Sequence, residues 1–324
     1  AWIAMLFAAG MGIGLVFYGP MEPLALFLTP PPYLSGVESG SQEAILPAFA
    51  QAVLHHATLP WMIFALVGGA LAYAAYRRGR IPLISSLFEP LITDSNNRVF
   101  GKIVDIFAVL VTLFGTATSL GIGALQIRTG TSILTGKPLE GNGIMVVIIT
   151  ILTILFILSA MSGIKRGIRI LSNINMGLVI GLAVFVLITG PTLYILDLLP
   201  ASLLQFFKHF EDMMSLSASQ GEPEKEFVTA WTMLYWAWWI SWSPFVGMFI
   251  AKISRGRTIR EFVFVIMLVP TTLSLFWYVI FGATAIKTHL DGDGIEIEGS
   301  GENVMFDLMR SLPLSSITTV IVLL

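Results

Sequence analysis

The sequence predicts an all-α polytopic membrane protein, and three observations carry that prediction. Of 324 residues, 56% are hydrophobic and only 12% charged, with a mean hydropathy of +0.84, too apolar for a water-soluble domain of this length. Apolar runs of spanning length, or the start of one, recur at 1–28, 47–76, 101–127, 144–162, 173–199, 229–251, 262–287 and 315–324. The basic residues gather in alternate connections. Arg77, Arg78, Arg80, Arg98 and Lys102 follow the second run, Lys165, Arg166 and Arg169 the fourth, and Lys252, Arg255, Arg257 and Arg260 the sixth, together twelve of the 18 Lys and Arg. The other connections carry Glu38, Glu43, Asp197, Glu222, Glu224, Glu226, Asp291, Asp293, Glu296 and Glu298. The positive-inside rule then puts the basic loops in the cytoplasm of a multi-pass protein of the cell membrane.

The first run opens at Ala1, already apolar, and the last closes at Leu324 after ten residues, so the chain reads as a piece of a longer membrane protein, truncated at both ends. The first run contains "AAGMGIGLVFYGP", in which Gly10, Gly12, Gly14 and Gly19 interrupt what should be a continuous helix. Glycines also let helices pack closely, but that use has a period of four, whereas these fall at every second position. The reading is a broken helix, whose ends offer free N–H and C=O groups to a ligand within the membrane. In the third run Thr112 and Thr116 lie at i and i+4 on one face, with Thr118 and Ser119 close by. Such hydroxyls can bond back to their own helix or supply oxygen ligands to a hard cation.

Segment 200–228 is an amphipathic interfacial helix and linker, with Leu203, Leu204, Phe206, Phe207 and Phe210 beside Lys208, His209, Glu211 and Asp212. It separates a first block of five spans (1–199) from the start of a second block (229–324). The second block opens on "YWAWWISWSP", where Pro244 removes one backbone hydrogen bond in mid-span. Broken helices in corresponding positions of two halves predict a five-plus-five inverted repeat with its substrate site at the breaks. Trp231, Tyr235, Trp238 and Trp242 follow at steps of four, three and four, with Trp239 a short rotation away, which builds an aromatic wall on one helix face. An interfacial belt would sit at span ends, whereas Trp238, Trp239 and Trp242 fall near the middle. A quaternary ammonium has no N–H to donate, so a protein holds it by surrounding it with π faces. The loop "DGDGIEIEGSGE" (291–302) lacks the spacing of a calcium site and reads as a solvated turn.

Cysteine is absent, which excludes disulfides, thiolate metal sites and cysteine nucleophiles. His55, His56, Glu22 and Asp105 have no ligand spacing that joins them, so an enzyme is not expected, nor is a nucleic-acid partner.

"YWAWWISWSPFVGMFIAKISRGRTIREF" resembles the signature of the betaine/choline/carnitine transporter family, and "GMGIGLVFYGPMEP" and "FGTATSLGIGALQI" resemble two further motifs of it. The resemblance runs over essentially the whole chain. It implies a neurotransmitter-sodium-symporter-like fold, a homotrimer in the lipid bilayer, and transport of a small quaternary-ammonium or zwitterionic osmolyte, with sodium as coupling ion and no cofactor. By resemblance, Trp238, Trp239 and Trp242 match tryptophans on the substrate path and Trp61 another wall of the cage. Betaine carriers of the family usually carry tryptophan and tyrosine where this chain has His56 and Phe64, which puts glycine betaine itself in question. Thr112 and Thr116 match one sodium site, with Phe245 beside it, while Ala8 and Met11 match carbonyl ligands of a second. Choline carriers thought to use protons tend to have aspartate at the place of Gly14, so glycine here favours sodium. A sodium-independent exchanger, a proton-coupled choline carrier, and a ligand-gated channel or sensor with the same cage are the alternatives.

Overall fold

A computed structural model of the chain describes residues 2, 5–6, 12–89, 97–139, 141–161, 169–292, 294–299 and 301–323, and the regular structure among them is helical, with no strand. In chain order the helices are α1 (Ile13–Leu28), α2 (Gln42–Val53), α3 (Leu59–Arg78), α4 (Ser85–Phe88), α5 (Asn97–Thr135), α6 (Asn142–Met161), α7 (Arg169–Thr189), α8 (Thr192–Lys208), α9 (Phe210–Ser215), α10 (Glu222–Phe227), α11 (Met233–Ile253), α12 (Ile259–Leu290), α13 (Val304–Ser311) and α14 (Ser315–Leu323). Two π-helical turns, Leu54–Thr58 and Val228–Thr232, join α2 to α3 and α10 to α11.

Among the described residues three helices are long and apolar enough to cross a membrane, Gln42–Arg78, Val99–Thr135 and Ile259–Leu290. A bent pair adds a fourth if it counts as one span, and Ile13–Leu28 and Asn142–Leu158 are shorter apolar helices. α1 has 16 residues and α14 nine.

The bent pair corrects the fifth run. Instead of continuing to 199, the helix stops at Thr189 and its successor leaves at 111°. Pro191 has no N–H for the ladder and clashes with the preceding turn. The last regular bond runs from Gly190 N–H to Val186 O at 2.8 Å, and the carbonyl that Pro191 frees, Leu187 O, accepts from Thr192 Oγ1 at 2.7 Å. The helix that follows, α8 (Thr192–Lys208), runs across the expected boundary at 200.

Pro244 gives the opposite correction. α11 runs through it without a break. The proline leaves Ile240 O without its helical donor, and Ser243 Oγ donates to that oxygen at 2.8 Å. Ser241 Oγ donates to Trp238 O at 2.6 Å one turn earlier.

The chain forms two compact units, neither a continuous stretch of sequence. The first comprises 1–10, 53–118 and 215–274. Its core gathers Trp61, Phe64 and Ala65 of α3, Val246 and Ile250 of α11, Phe262 and Ile266 of α12, and Trp2 and Leu6. α3 and α11 approach closely at two glycines: a Cβ on Gly247 would stand 2.8 Å from Val67 Cγ1, and one on Gly68 would stand 3.1 Å from Gly247 O. Small residues at a crossing let backbones meet where lipid offers no hydrophobic push. Trp2 Nε1 donates to Ser254 Oγ at 3.0 Å, which pins the chain start to the end of α11.

The second unit comprises 11–52, 119–214 and 275–324. Trp277 Nε1 on α12 donates to Leu15 O on α1 at 2.7 Å. A Cβ on Gly282 would stand 2.7 Å from Pro23 Cγ, so α12 lies tight against α1. Glu22, fully buried on α1, accepts from Tyr278 Oη at 3.4 Å. Outside the helices, Tyr33 lies 5.8 Å from the His209 ring, and burial, then Asp212, holds its phenol well above the ordinary range. The acidic loop is tied by Asn303, whose Nδ2 donates to Glu296 O and Asp307 Oδ2, both at 2.7 Å.

Large apolar side chains stand exposed along both units, among them Phe107, Leu113 and Phe114 of α5 and Val146, Ile151 and Phe156 of α6. Faces of this extent are stable only against lipid or protein. The protein is a membrane protein.

Candidate functional site

The site in the first unit starts from an irregular turn. In the π-helical turn Leu54–Thr58, Leu59 N–H reaches back five residues to Leu54 O. The next residue is Pro60, with no N–H, so neither His55 O nor His56 O receives a donor from it. Trp239 Nε1 of α11 donates to His55 O at 2.8 Å, and Thr271 Oγ1 of α12 donates to Ala57 O at 3.0 Å. One carbonyl thus fixes the position of an indole, and π turns are frequent at functional sites.

Around that bond the aromatic rings close into one cluster. Trp238 and Trp239 lie nearly parallel at 12°, with centroids 5.1 Å apart, and Tyr235 is parallel to both within 13° at 6.4 and 6.1 Å. Trp231 continues the stack at 6.3 Å from Tyr235. Phe64 stands at 88° to Trp239 and at 88° to Trp61, which turns a corner in the wall. His56 meets Tyr235, Trp238 and Trp239 edge-on at 4.8, 6.2 and 5.1 Å. His55 stacks on Tyr235 at 4.7 Å and on Trp231 at 6.3 Å. Adjacent histidines on a regular helix point to different faces; here both contact Tyr235.

Of the expected cage, Trp238, Trp239, Trp61, Phe64 and His56 come together. Trp242 is half-buried beside them, its Nε1 buried without a hydrogen-bond partner and its ring 6.0 Å from Phe245. Tyr235 and His55 share the centre of the cluster. Sequence spacing put Tyr235 on the wall, whereas Pro60 was the signal for the irregular turn that brings in His55.

The threonines show a partial gathering. Thr112 Oγ1 donates to Ala108 O at 2.8 Å and lies 3.3 Å from Ser241 O of α11. Thr116 Oγ1 donates to Thr112 O at 2.8 Å and is exposed, as is Phe245 at 55%. Ala8, Gly10 and Met11 lie outside the described residues. Asp105 is taken up structurally, its carboxylate accepting from Ser85 N at 3.0 Å and Ser85 Oγ at 2.7 Å.

In the second unit α1 begins at Ile13 with Gly12 as its N-cap, so a helix starts within the glycine motif, and Gly14 is buried one residue inside it. Gly12 lines a cavity of about 200 Å3, together with Gly123, Gln126, Asn175, Trp277 and residues 321–323. Gln126 is 4% exposed, and its Oε1 has no hydrogen-bond partner. A Cβ at Gly12 would meet nothing within 4 Å, so that position faces open space.

Apolar helices with exposed apolar faces, carrying an aromatic cluster fixed to an irregular turn in one unit and a cavity at a helix start in the other, define a helical membrane protein. The family profile described as BCCT, betaine/carnitine/choline family transporter, matches residues 1–324, and the chain belongs to that family. It is 48% identical over 324 residues to the betaine/ectoine transporter LcoP of Corynebacterium glutamicum, covering 100% of this chain and 51% of that protein. It is 42% identical to the glycine betaine transporter OpuD of Bacillus subtilis, over 100% of this chain and 62% of OpuD. It is also 40% identical to glycine betaine transporter 1 of Vibrio parahaemolyticus, over 99% of this chain and 61% of that one. The chain spans about half to three-fifths of the length of these relatives, which are transporters and not enzymes.

Proposed function

We propose that the whole protein is a secondary active transporter that takes up a quaternary-ammonium or related zwitterionic compatible solute, coupled to sodium. The observation that carries this reading is the corner of rings formed by Trp238, Trp239, Phe64 and Trp61, with the Trp239 indole held by His55 O. A cation without N–H groups gains about 2 kcal/mol or more from each desolvated ring face it touches. His56 adds a hydrogen-bonding edge to this wall. It favours a solute that itself carries N–H or O–H groups, and the ectoine named for LcoP is of that kind. Gly10, Gly12 and Gly14 supply backbone along the substrate path.

For coupling, Thr112 and Thr116 serve one sodium ion with Phe245 beside them, and Ala8 and Met11 give carbonyls to a second. The approach of Thr112 Oγ1 to Ser241 O supports the first site, because two oxygens from two helices already converge there. Gly14 leaves no carboxylate for a proton to use in that stretch. The fold proposed is a neurotransmitter-sodium-symporter-like inverted repeat, with a first repeat at 1–199, a linker at 200–228 and the start of a second repeat at 229–324. The protein sits as a homotrimer in the cytoplasmic membrane, with its basic ends inside. Uptake of labelled betaine, choline, carnitine, ectoine and dimethylsulfoniopropionate by the whole protein in vesicles, with and without a sodium gradient, tests the reading. Concentrative uptake of at least one of them with sodium is expected; passage only down its gradient would make the protein a channel.

A further inference from the structure

Where α3 and α11 end together in the first unit, the last residue of α3, Arg78, and Arg255 in the turn after α11 lie over two tyrosines of one helix face. The Arg78 guanidinium is 5.7 Å from the Tyr73 ring centroid, and that of Arg255 is 5.8 Å from the Tyr76 centroid. Tyr73 and Tyr76 are three residues apart on α3, hence on one face, and are 47% and 44% exposed. A guanidinium lying over a ring keeps its N–H fork free at the edge, and that fork matches a phosphate in bidentate fashion.

Two carboxylates at this end are already engaged. Arg80 pairs with Glu89 at 2.8 Å and Arg257 with Glu261 at 2.7 Å. Among the described residues, Arg77, Arg78, Lys252, Arg255 and Arg260 form no ion pair, and all five are exposed. The surface therefore carries a concentrated positive excess whose complement is an anion from outside the described chain.

The face leading to these arginines is apolar. Met62 and Leu66, the latter 74% exposed, share with Tyr73 one side of α3, and the rise from Met62 to Tyr73 is about 16 Å at 1.5 Å per residue. That is about half of a hydrocarbon core of roughly 30 Å, the depth of a single leaflet. A soluble anion would use the arginines and have no use for the stripe. An amphiphile would use both.

The geometry points to a binding seat for an anionic phospholipid, its phosphate held between Arg78 and Arg255 and an acyl chain lying along Leu66 and Met62. The seat is independent of what the protein transports. The test uses the whole purified protein, delipidated and returned to nanodiscs of phosphatidylglycerol or phosphatidylcholine, with bound lipid counted by native mass spectrometry and affinity read by thermal shift. Phosphatidylglycerol is expected to be retained and to raise Tm, and phosphatidylcholine to do neither. R78Q/R255Q should weaken the phosphatidylglycerol effect about tenfold or more. R78K/R255K, which keeps the charge and removes the fork, should recover only part of it. Leu66→Gln should weaken lipid binding without changing the response to inorganic phosphate. Undiminished lipid retention in R78Q/R255Q, an equal shift with inorganic phosphate alone, or full activity of the lysine variant would each overturn the seat.

Discussion

The indole N–H of Trp239 donates to the carbonyl of His55 at 2.8 Å, across 184 residues of sequence. The bond exists because the π turn sends Leu59 N–H to Leu54 O and Pro60, next in the π register, has no N–H for His55 O, so an indole in the wall and an irregular turn specify each other. Trp239 therefore has two separable roles, a π face and a hydrogen-bond donor. Trp239→Leu removes both and should weaken substrate binding by about tenfold or more, since about 1.4 kcal/mol is one decade. Trp239→Phe keeps a ring and should retain part of the affinity, while losing the bond to His55 O at a stability cost of about 1 kcal/mol. Equal loss of binding in both variants, measured by isothermal titration, would assign Trp239 to packing alone.

Ser243 and Pro244 should be coupled in the same way. Ser243→Ala leaves Ile240 O without a donor and should lower stability by about 1–3 kcal/mol. Pro244→Ala supplies an N–H in its place, so the double variant should be less destabilised than the sum of its parts. Additive Tm losses across this cycle would show that the serine does not serve that carbonyl.

How much of this was legible in the sequence follows from which forces are local. The apolar helices and the row of rings from Trp231 to Trp239 follow from composition and a period near 3.6, and both are present among the described residues. The bend at Gly190–Pro191 was written in the sequence but hidden by Tyr194–Leu199, apolar apart from Asp197, which carries the hydropathy past it. The smooth passage of α11 through Pro244 was not legible from the proline alone, because it depends on the hydroxyl of its neighbour choosing Ile240 O over water. The meeting of His55 with Tyr235 depends on two π turns, and their register is set by contacts between helices far apart in sequence.

His56 stands where betaine carriers of the family usually place tryptophan, and its ring edge meets three aromatic rings. His56→Trp replaces a polar edge by another π face. It should raise affinity for glycine betaine and lower it for solutes that donate hydrogen bonds, a reversal of preference of about tenfold by competition uptake. No change in the ratio would remove His56 from the site.

Gly12 lines the cavity of the second unit, and a Cβ there meets nothing within 4 Å. Gly12→Leu should therefore fold normally, with an unchanged Tm, while its side chain fills part of the cavity and stops uptake. Normal uptake by a folded variant would take the start of α1 off the substrate path.

The coupling ion gives the most exposed prediction. Thr112 and Thr116 share a face of α5, and each hydroxyl donates its proton to a backbone carbonyl one turn back, at 2.8 Å in both cases. A donating hydroxyl still has lone pairs to offer, so these bonds orient the oxygens and leave them able to ligate a cation. Thr112 Oγ1 also stands 3.3 Å from Ser241 O, on the helix that carries the aromatic wall, so an ion held there would touch both the coupling helix and the substrate helix. Replacing both threonines by alanine in the whole protein should raise the sodium concentration for half-maximal uptake by about tenfold, with a smaller effect on substrate affinity at saturating sodium. Serine at both positions keeps the oxygens and should restore most of the response. Lithium or potassium should not substitute, and external acidification without sodium should not drive uptake. Sodium-independent exchange of one substrate for another by the unmutated protein would leave the threonines as partners of their own helix and make the carrier an antiporter.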